Sequence, residues 1–597
     1  MTRTPLRPLA RILQARAKGE NPEAIERENL RLRNEVTRDR ARSRAQLRLL
    51  VLSAGFITAF STIGVQMGTL AASVPTEPRR AGAGAEVSAT RADILDRNGR
   101  VLATNMLTHA LYAHPRDMID PAATAEKLSR IFPGMKAADL TRRFTDGRSF
   151  LWLRRVLSPE QMQAVHEIGD PGLLFGPREM RLYPNGTLAA HVLGGAAFGD
   201  ESVRSAEVIG TAGVELALDA RLRDPAQATT PLILSIDLTV QAAMEEILST
   251  GMVMMNAKGA AGILMDVHTG EIVALASLPA FDPNDRPNPV LPKDAEPGDS
   301  PLFNRAVQGL YELGSTFKIF AAAQGMDLGL VGPETMVDAN APMFWGKYKI
   351  NEFEGKNYGP LLSVSDIIAK SSNVGTAHIA LMIGGERQQA FLRKLGLMDP
   401  SPVELAEAPG VKPLVPPKWP DIVTITASYG HGMSSSPLNL AAAYATIANG
   451  GFKVTPTLLH GTVRPERERI LGEQASRAAT AMLRRVVTDG TASFGEVPGY
   501  AVAGKTGTAD KPRRGGGYYD DKVINTFAAV FPANDPAYVL IVTLDEPVET
   551  TGPKPRRTAG WTSVPVAAEV IRRTAPLLGL RPQVELGPLD DITAVKQ

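Results

Sequence analysis

Residues 314–329 read GSTFKIFAAAQGMDLG. The apolar run after Lys318 has the composition of a buried helix, and Gly314 permits a tight entry into it. Ser315 and Lys318 then stand at i and i+3 of a helix N-terminus, on one face. A serine hydroxyl is a poor nucleophile until a neighbour takes its proton. A lysine held beside it can do so if burial lowers its pKa. The helix N-terminus favours negative charge developing there. Ser-x-x-Lys also occurs by chance in many proteins, so its weight depends on what lies around it.

Two further polar elements follow. Ser371-Ser372-Asn373 falls between SVSDIIAK and VGTAHIALM, both helix-like. A polar tripeptide between helices can aim hydroxyl and amide groups into a cleft, although alone it reads as a capping turn. Lys505-Thr506-Gly507-Thr508 ends an apolar strand. A cation, hydroxyls and a backbone freed by glycine suit an edge strand gripping a carboxylate-bearing peptide by β-addition. The same segment, from Gly499 to Thr506, fits the phosphate-binding pattern G-x-x-x-x-G-K-T. That pattern needs a helix opening at Lys-Thr. Gly507, Pro512 and the glycines at 515–517 exclude one, so the phosphate reading fails.

Working outward, LILSIDLTVQAAMEEIL (232–248) predicts a strand, Asp237 as N-cap and an amphipathic helix. AAGILMDVHTGEIVALAS (260–277) predicts two strands around a turn at His268-Thr269-Gly270. Helical stretches dominate 315–450. Strands return at 500–508, 523–531 and 537–544, and a helix closes the region at 562–573. Strands at both ends with a helical insert between them predict an α/β (α+β) fold, an antiparallel sheet packed by helices. Further upstream, ILDRNGRVLATN (94–105) places two apolar runs around Asn98-Gly99, a strong hairpin signal. Residues 106–230 mix short helices and strands without a constellation of catalytic type, and read as a structural or docking module.

The chain has 597 residues, enough for three or four domain-sized units, and a net charge of +2. It has no cysteine, which excludes thiol catalysis, disulfides and Cys-ligated metal. The near-zero charge hides a split. Residues 1–48 carry 13 Lys+Arg against 6 Asp+Glu, a net of +7, leaving −5 for the rest. No charge then occurs until Glu77, and Leu49–Val74 reads LLVLSAGFITAFSTIGVQMGTLAASV. A helix over that stretch would span about 39 Å, enough to cross a hydrocarbon core of about 30 Å. A buried core helix seldom runs so long without charge. A cleaved signal peptide has neither so long a leader nor so long an apolar run, despite the small residues Ala71, Ala72 and Ser73. The favoured reading is one uncleaved span, with residues 1–48 cytoplasmic by the positive-inside rule and able to contact anionic lipid. Residues 75–90, rich in Pro, Gly and Ala, read as a linker.

Together the elements run S-x-x-K, S-x-N, K-T-G, with gaps of 56 and 134 residues. That order resembles the penicillin-binding proteins and serine β-lactamases. The wider sequence resembles the class B penicillin-binding proteins, in particular the division-specific (FtsI-type) peptidoglycan D,D-transpeptidases. The phrases that carry this are RADILDRNGRVLA (91–103), RLYPNG (181–186), GVELALD (213–219) and TGEIVALASLPAFDPN (269–284). NRAVQGLYELGSTFK (304–318), SYGHGMSSSPLNLAAAYATIANGG (428–451) and AGKTGTADK (503–511) complete them.

The resemblance implies a cytoplasmic tail (1–48), a transmembrane helix (49–74), an elongated mixed α+β pedestal or dimerisation domain (75–230), a transpeptidase domain (231–575) and a C-terminal tail (576–597). It implies that Ser315 attacks the penultimate D-Ala carbonyl of a stem peptide while Lys318 accepts the proton. Ser371 and Asn373 would relay protons and hold the donor peptide. Lys505, Thr506 and Thr508 would hold its terminal carboxylate, with Ser372 and Gly507 also lining the substrate. The backbone N–H groups of Ser315 and Thr508 would form the oxyanion hole. β-Lactams would stay attached to Ser315. No cofactor, metal or nucleic acid is implied. The implied partners are the inner membrane, a division glycosyltransferase of FtsW type and other division proteins, at the septum, with the catalytic domain periplasmic.

Other functions share parts of the pattern. An elongation-type transpeptidase has the same motifs, but the phrases around Ser315 and Lys505 look more like the division type. A β-lactamase needs a water-activating group, and class A enzymes add a Glu that has no identifiable counterpart here. A D,D-carboxypeptidase lacks the wider likeness. A non-enzymatic β-lactam sensor would need a cytoplasmic signalling domain, which 48 residues do not offer. A division scaffold is compatible with catalysis. His431 reads as structural.

Overall fold

The computed structural model describes residues 13–19, 22–72, 91–198, 208–462, 468–513 and 516–583. The chain divides into two compact units, one of Met1–Glu77, Tyr112–Leu153 and Ala164–Leu174, the other of the remainder.

In the first unit helix α1 (Pro22–Ala72) runs 51 residues without a break. Its apolar window is Gln46–Val65, long and apolar enough to cross a membrane, and none of that window is buried by protein. Large side chains such as Leu50, Phe56 and Phe60 are exposed along it, as a lipid-facing helix requires. The change of composition at Arg48 falls inside the helix, with no break there. The end of the expected span and the 75–90 linker lie outside the described residues. The rest of this unit packs two short helices, Pro121–Ile131 and Ala137–Thr145, through Leu128, Leu140 and Phe144. The unit also holds an aromatic cluster of Tyr112, His114, Phe150 and Trp152.

In the second unit strand β1 (Ile94–Leu95) turns at Gly99 into β2 (Val101–Ala113), whose last two residues belong to the first unit, with Leu95 opposite Val101. This is the predicted hairpin. Strand β3 (Leu232–Ile233) pairs with β1 in parallel. Three of the quoted phrases meet nearby at one buried carboxylate. Glu215 accepts from Arg91 Nε at 2.6 Å, from Arg181 Nε at 2.7 Å and from Tyr183 OH at 3.3 Å. A fully buried carboxylate is tolerable only with such partners.

Helix α2 (Leu238–Met254) begins at Asp237, whose carboxylate accepts from the N–H groups of Thr239 and Val240. Strands β4 (Gly259–Asp266) and β5 (Ile272–Leu278) follow as predicted. Then come helix α3 (Lys318–Asp327), the short pair β6 (Met343–Trp345) and β7 (Tyr348–Ile350), helices α4 (Val364–Lys370) and α5 (Asn373–Ile383), and helices α6 (Pro437–Ala448) and α7 (Glu473–Thr488). Strands β8 (Ala503–Pro512), β9 (Tyr518–Phe531) and β10 (Tyr538–Asp545) and helix α8 (Ser563–Leu577) complete the unit.

The sheet order is β8-β9-β10-β4-β5, antiparallel throughout. The strands from the two sequence ends therefore lie side by side, and the helical insert packs around them. Helices α2 and α8 pack on each other and on the sheet. Helix α6 is mostly apolar and is buried along its whole length. The insert also holds short strands absent from the sequence expectation, Met336–Asp338 with Leu361–Ser363, and β6 with β7. Each has three residues, too few for alternation to register against a helical pattern.

Candidate active site

The chain enters α3 through a short 3₁₀ turn, Gly314–Phe317. Gly314 has φ +55°, and a Cβ there would stand 2.9 Å from Thr508 O. Only glycine fits both the backbone angle and the neighbour. Ser315 is half-buried in this turn, while Lys318 is fully buried one turn on. Tyr444 of α6, also fully buried, donates to Thr316 O at 2.7 Å and fixes the turn from below.

The Ser371-Ser372-Asn373 tripeptide lies between α4 and α5. Ser371 closes α4 in the left-handed region, φ +63° and ψ 44°. A side chain other than glycine there costs about 1–3 kcal/mol unless its surroundings hold it. Its surroundings are two lysines. Lys318 Nζ donates to Ser371 O and, at 3.1 Å, to Ser371 Oγ. Lys505 Nζ donates to the same Oγ at 2.9 Å. The three sequence elements therefore converge on one hydroxyl.

Burial pulls Lys318 down to about 7, against the opposing charge of Glu352. Burial, and then the charge of Lys318, holds Lys505 well below the ordinary lysine range. Two ammonium groups on one buried hydroxyl repel each other, so the downward direction for both follows from the geometry.

Lys505 lies on the edge strand β8, in register with Ala528 of β9. There is no helix at Lys505-Thr506, which disposes of the phosphate-loop pattern on structural grounds. Thr506 Oγ1 shares a 2.7 Å hydrogen bond with Thr491 Oγ1, and Thr508 Oγ1 accepts from Ala559 N at 3.0 Å. Gly507 lies against the nucleophile turn: a Cβ there would stand 2.3 Å from Leu313 O.

Ser372 and Asn373 are placed differently from Ser371. Ser372 is fully buried and caps α5, accepting from Gly375 N at 3.0 Å and donating to Glu352 Oε1 at 2.5 Å. Its motif places Ser372 in the substrate-binding set; its hydroxyl is engaged here by Glu352 and Gly375 N. After a left-handed residue the chain direction changes, and neighbours 371 and 372 serve different sides. Asn373 is half-buried, with Nδ2 on Asn351 O at 2.8 Å.

Three features escaped the sequence reading. Glu352, nearly fully buried, holds the Ser372–Val374 turn. Tyr444 supports the nucleophile turn. Glu312, three residues before Ser315, accepts from Gly432 N at 3.0 Å and Tyr518 OH at 3.0 Å, with His431 Nδ1 at 3.3 Å. Burial, and then the charge of Glu312, raises the Tyr518 phenol to about 12. His431 is thereby tied into a structural clasp. The usable signal for Glu312 was its i−3 spacing from Ser315; Glu352 had none beyond its place after a short strand.

This arrangement can perform acyl transfer: a serine at a helix start, a lysine able to lose its proton, and a cationic edge strand beside them. A model described as the penicillin binding protein transpeptidase domain matches residues 260–571, and one described as the penicillin-binding protein dimerisation domain matches 86–229. A probable peptidoglycan D,D-transpeptidase FtsI of Caulobacter vibrioides is 35% identical over 576 residues, covering 93% of each chain. A probable peptidoglycan D,D-transpeptidase PenA of Neisseria gonorrhoeae is 32% identical over 77% of this chain and 80% of that one. The crystal structure of apo penicillin binding protein 3 from Mycobacterium tuberculosis superposes with TM-score 0.62 at 25% identity, covering 83% of this chain and 98% of that one. The chain belongs to the class B penicillin-binding proteins.

Proposed function

We propose that this chain crosslinks peptidoglycan stem peptides through an acyl-enzyme on Ser315, and that β-lactams acylate the same residue. The observation that carries this reading is the convergence of Lys318 and Lys505 on Ser371 Oγ beside the Ser315 turn. Ser315 Oγ bonds to the penultimate D-Ala carbonyl carbon, its proton passing to Lys318. The peptide C–N bond breaks, and the terminal D-Ala leaves with a proton relayed through Ser371. The amine of a neighbouring stem peptide then attacks the ester carbon, the bond from that carbon to Ser315 Oγ breaks, and the proton the amine sheds returns to Ser315 Oγ.

Lys505, with Thr506 and Thr508, takes the donor's terminal carboxylate. A carboxylate beside Lys505 favours the ammonium there and, through repulsion, neutral Lys318, the form that accepts a proton. Asn373 faces the donor peptide. Ser315 N–H and Thr508 N–H serve the oxyanion. Ser372 and Gly507 act through the backbone they shape.

The same reading covers topology and partners. Residues 1–48 are cytoplasmic, the single span follows, and the pedestal (75–230) and transpeptidase domain (231–575) lie in the periplasm, with a short tail after 575. The excess of Lys+Arg before the apolar window supports that orientation. Septal placement and a partner glycosyltransferase of FtsW type rest on the likeness to division-type relatives.

The test is labelling of the full-length, detergent-solubilised protein with a fluorescent penicillin. The wild type is expected to retain the label, and Ser315→Ala to take none. Label on Ser315→Ala refutes the nucleophile; rapid turnover of the penicillin points to a β-lactamase instead.

A further inference from the structure

The turn that carries Ser371 needs support that its own residues do not supply. Its left-handed φ is unfavourable, and its hydroxyl must accept from two buried lysines at once. The support comes from Glu352, in the loop just after β7. One carboxylate oxygen accepts from Ser372 Oγ at 2.5 Å and Val374 N at 3.1 Å. The other accepts from Asn373 N at 2.6 Å. The carboxylate thus takes two N–H groups at the start of α5 that have no partner within the helix. The adjacent Asn351 O holds the Asn373 side chain at 2.8 Å. A two-residue clamp just after a three-residue strand therefore fixes Ser372 and Asn373, the residues that follow Ser371.

Glu352 is also the buried anion of the site. The charge that acts on Lys318 is that of Glu352 from this loop, and Lys318 in turn acts on Lys505 of β8. Charges on the other packed elements pair elsewhere: Asp366 of α4 with Arg485 of α7 at 3.0 Å, and His378 of α5 with Asp338 at 3.9 Å. None of the three sequence motifs contains a carboxylate, so Glu352 supplies what they lack.

We propose that Glu352 is a positioning residue for acylation: its carboxylate clamps the Ser372–Val374 turn that follows Ser371 and sets a fixed negative charge that acts on Lys318. This rests on the reading of Lys318 as proton acceptor. The clamp holds Ser371 where both lysines reach it. The charge raises the proton affinity of Lys318 against the burial that lowers it, which favours uptake of the Ser315 proton.

Glutamine cannot replace it. One side of Gln accepts as before, but its NH₂ group would face the Asn373 N–H or the Val374 N–H, donor against donor. Glu352→Gln therefore removes both the clamp and the charge, whereas Glu352→Asp keeps the charge and shortens the reach. Ser372→Ala removes one contact and leaves the charge.

The experiment is the acylation rate of the full-length protein with a fluorescent penicillin from pH 5 to 9, with melting temperatures for each variant. Glu352→Gln is expected to lower the plateau by about tenfold or more and to move the midpoint of the rising limb down by about one pH unit. Ser372→Ala is expected to lower the plateau with the midpoint unmoved. A Glu352→Gln midpoint at the wild-type value, or an equal shift in Ser372→Ala, overturns the electrostatic role. If Glu352→Gln does not fold, Glu352→Asp decides: the wild-type midpoint with a reduced plateau supports the proposal, and a wild-type plateau overturns it. Failure of the underlying reading would show separately, as label on Ser315→Ala.

Discussion

The contact between β8 and the nucleophile turn sets a quantitative expectation for Gly507→Ala. The new Cβ would stand 2.3 Å from Leu313 O and 2.9 Å from Thr316 Cγ2, where ordinary contact begins near 3.4 Å. Relief requires the strand and the turn to separate by about 1 Å. Neither gives way easily. Strand β8 is held to β9 along the register from Ala503 opposite Val530 to Asp510 opposite Val523. The turn is held by Tyr444 from below and by Thr316 Oγ1 on Leu313 O at 2.8 Å. A displacement of about 1 Å between reacting groups costs about 100-fold in rate, or about 2.7 kcal/mol of barrier. Overpacking lowers stability by a separate amount of about 1–3 kcal/mol. The assay is the second-order rate of acylation by a fluorescent penicillin, with thermal melting in parallel. Gly410→Ala is the control, since a Cβ there meets nothing within 4 Å and its φ is ordinary. A Gly507→Ala protein that melts normally and acylates within about threefold of wild type would refute the claim that this contact sets the distance between Lys505 and Ser315.

The acid limb of acylation is expected to have its midpoint near 7, where Lys318 loses its proton. Below that pH Lys318 is an ammonium and cannot accept from Ser315, so the rate should fall about tenfold per pH unit; a flat profile from pH 5 to 8 would exclude Lys318 as base. Ser371→Gly should be the more stable and Ser371→Ala the less stable of the two, by about 1 kcal/mol, because of the left-handed φ, while both lose acylation; melting curves and labelling together test this. Lys505→Ala should slow penicillin acylation much more than His431→Ala, and equal effects would count against carboxylate binding by Lys505. A reporter fused after Gln597 should be active only on the outer side of the membrane, and cytoplasmic activity would refute the orientation.

What the sequence disclosed depended on how locally each feature is encoded. Strands β4 and β5 form one continuous apolar run broken by His268-Thr269-Gly270, so run and turn are read in one glance. The cap at Asp237 and the hairpin at Gly99 are equally local. Ser315, Lys318, Ser371 and Lys505 stood out because their side chains are unusual among apolar neighbours. Glu352 did not. It sits in INEFEGKNYG (350–359), where charges, Asn and Gly read as a solvent-facing loop, and its partners lie 20 to 22 residues away. Tyr444 reads as one more core aromatic in an alanine-rich helix, yet its hydroxyl supports Thr316, 128 residues distant. Ser372 is similar: its motif sets it beside Ser371, while the partner of its buried hydroxyl, Glu352, lies 20 residues away.

The pairing of two buried lysines explains why the tripeptide cannot be a generic cap. Each lysine is fully buried, and a buried ammonium with no acceptor is among the costliest groups a fold can contain. Ser371 offers Lys318 both its carbonyl and its hydroxyl, and offers Lys505 the same hydroxyl. An ordinary helix C-terminus would direct its carbonyls along the helix axis, away from a side-chain hydroxyl on the same residue. The left-handed φ at Ser371 turns the carbonyl and Oγ of one residue toward the same pair of cations. The unfavourable backbone angle is therefore the geometric condition for one serine to serve two lysines. Ser371→Ala keeps the backbone angle and removes the shared acceptor, leaving Lys505 with only the Thr506 carbonyl at 3.3 Å. The strain at Ser371, the depressed proton affinity of both lysines and the buried Glu352 are parts of one arrangement, in which the site carries more cationic groups than it can keep protonated.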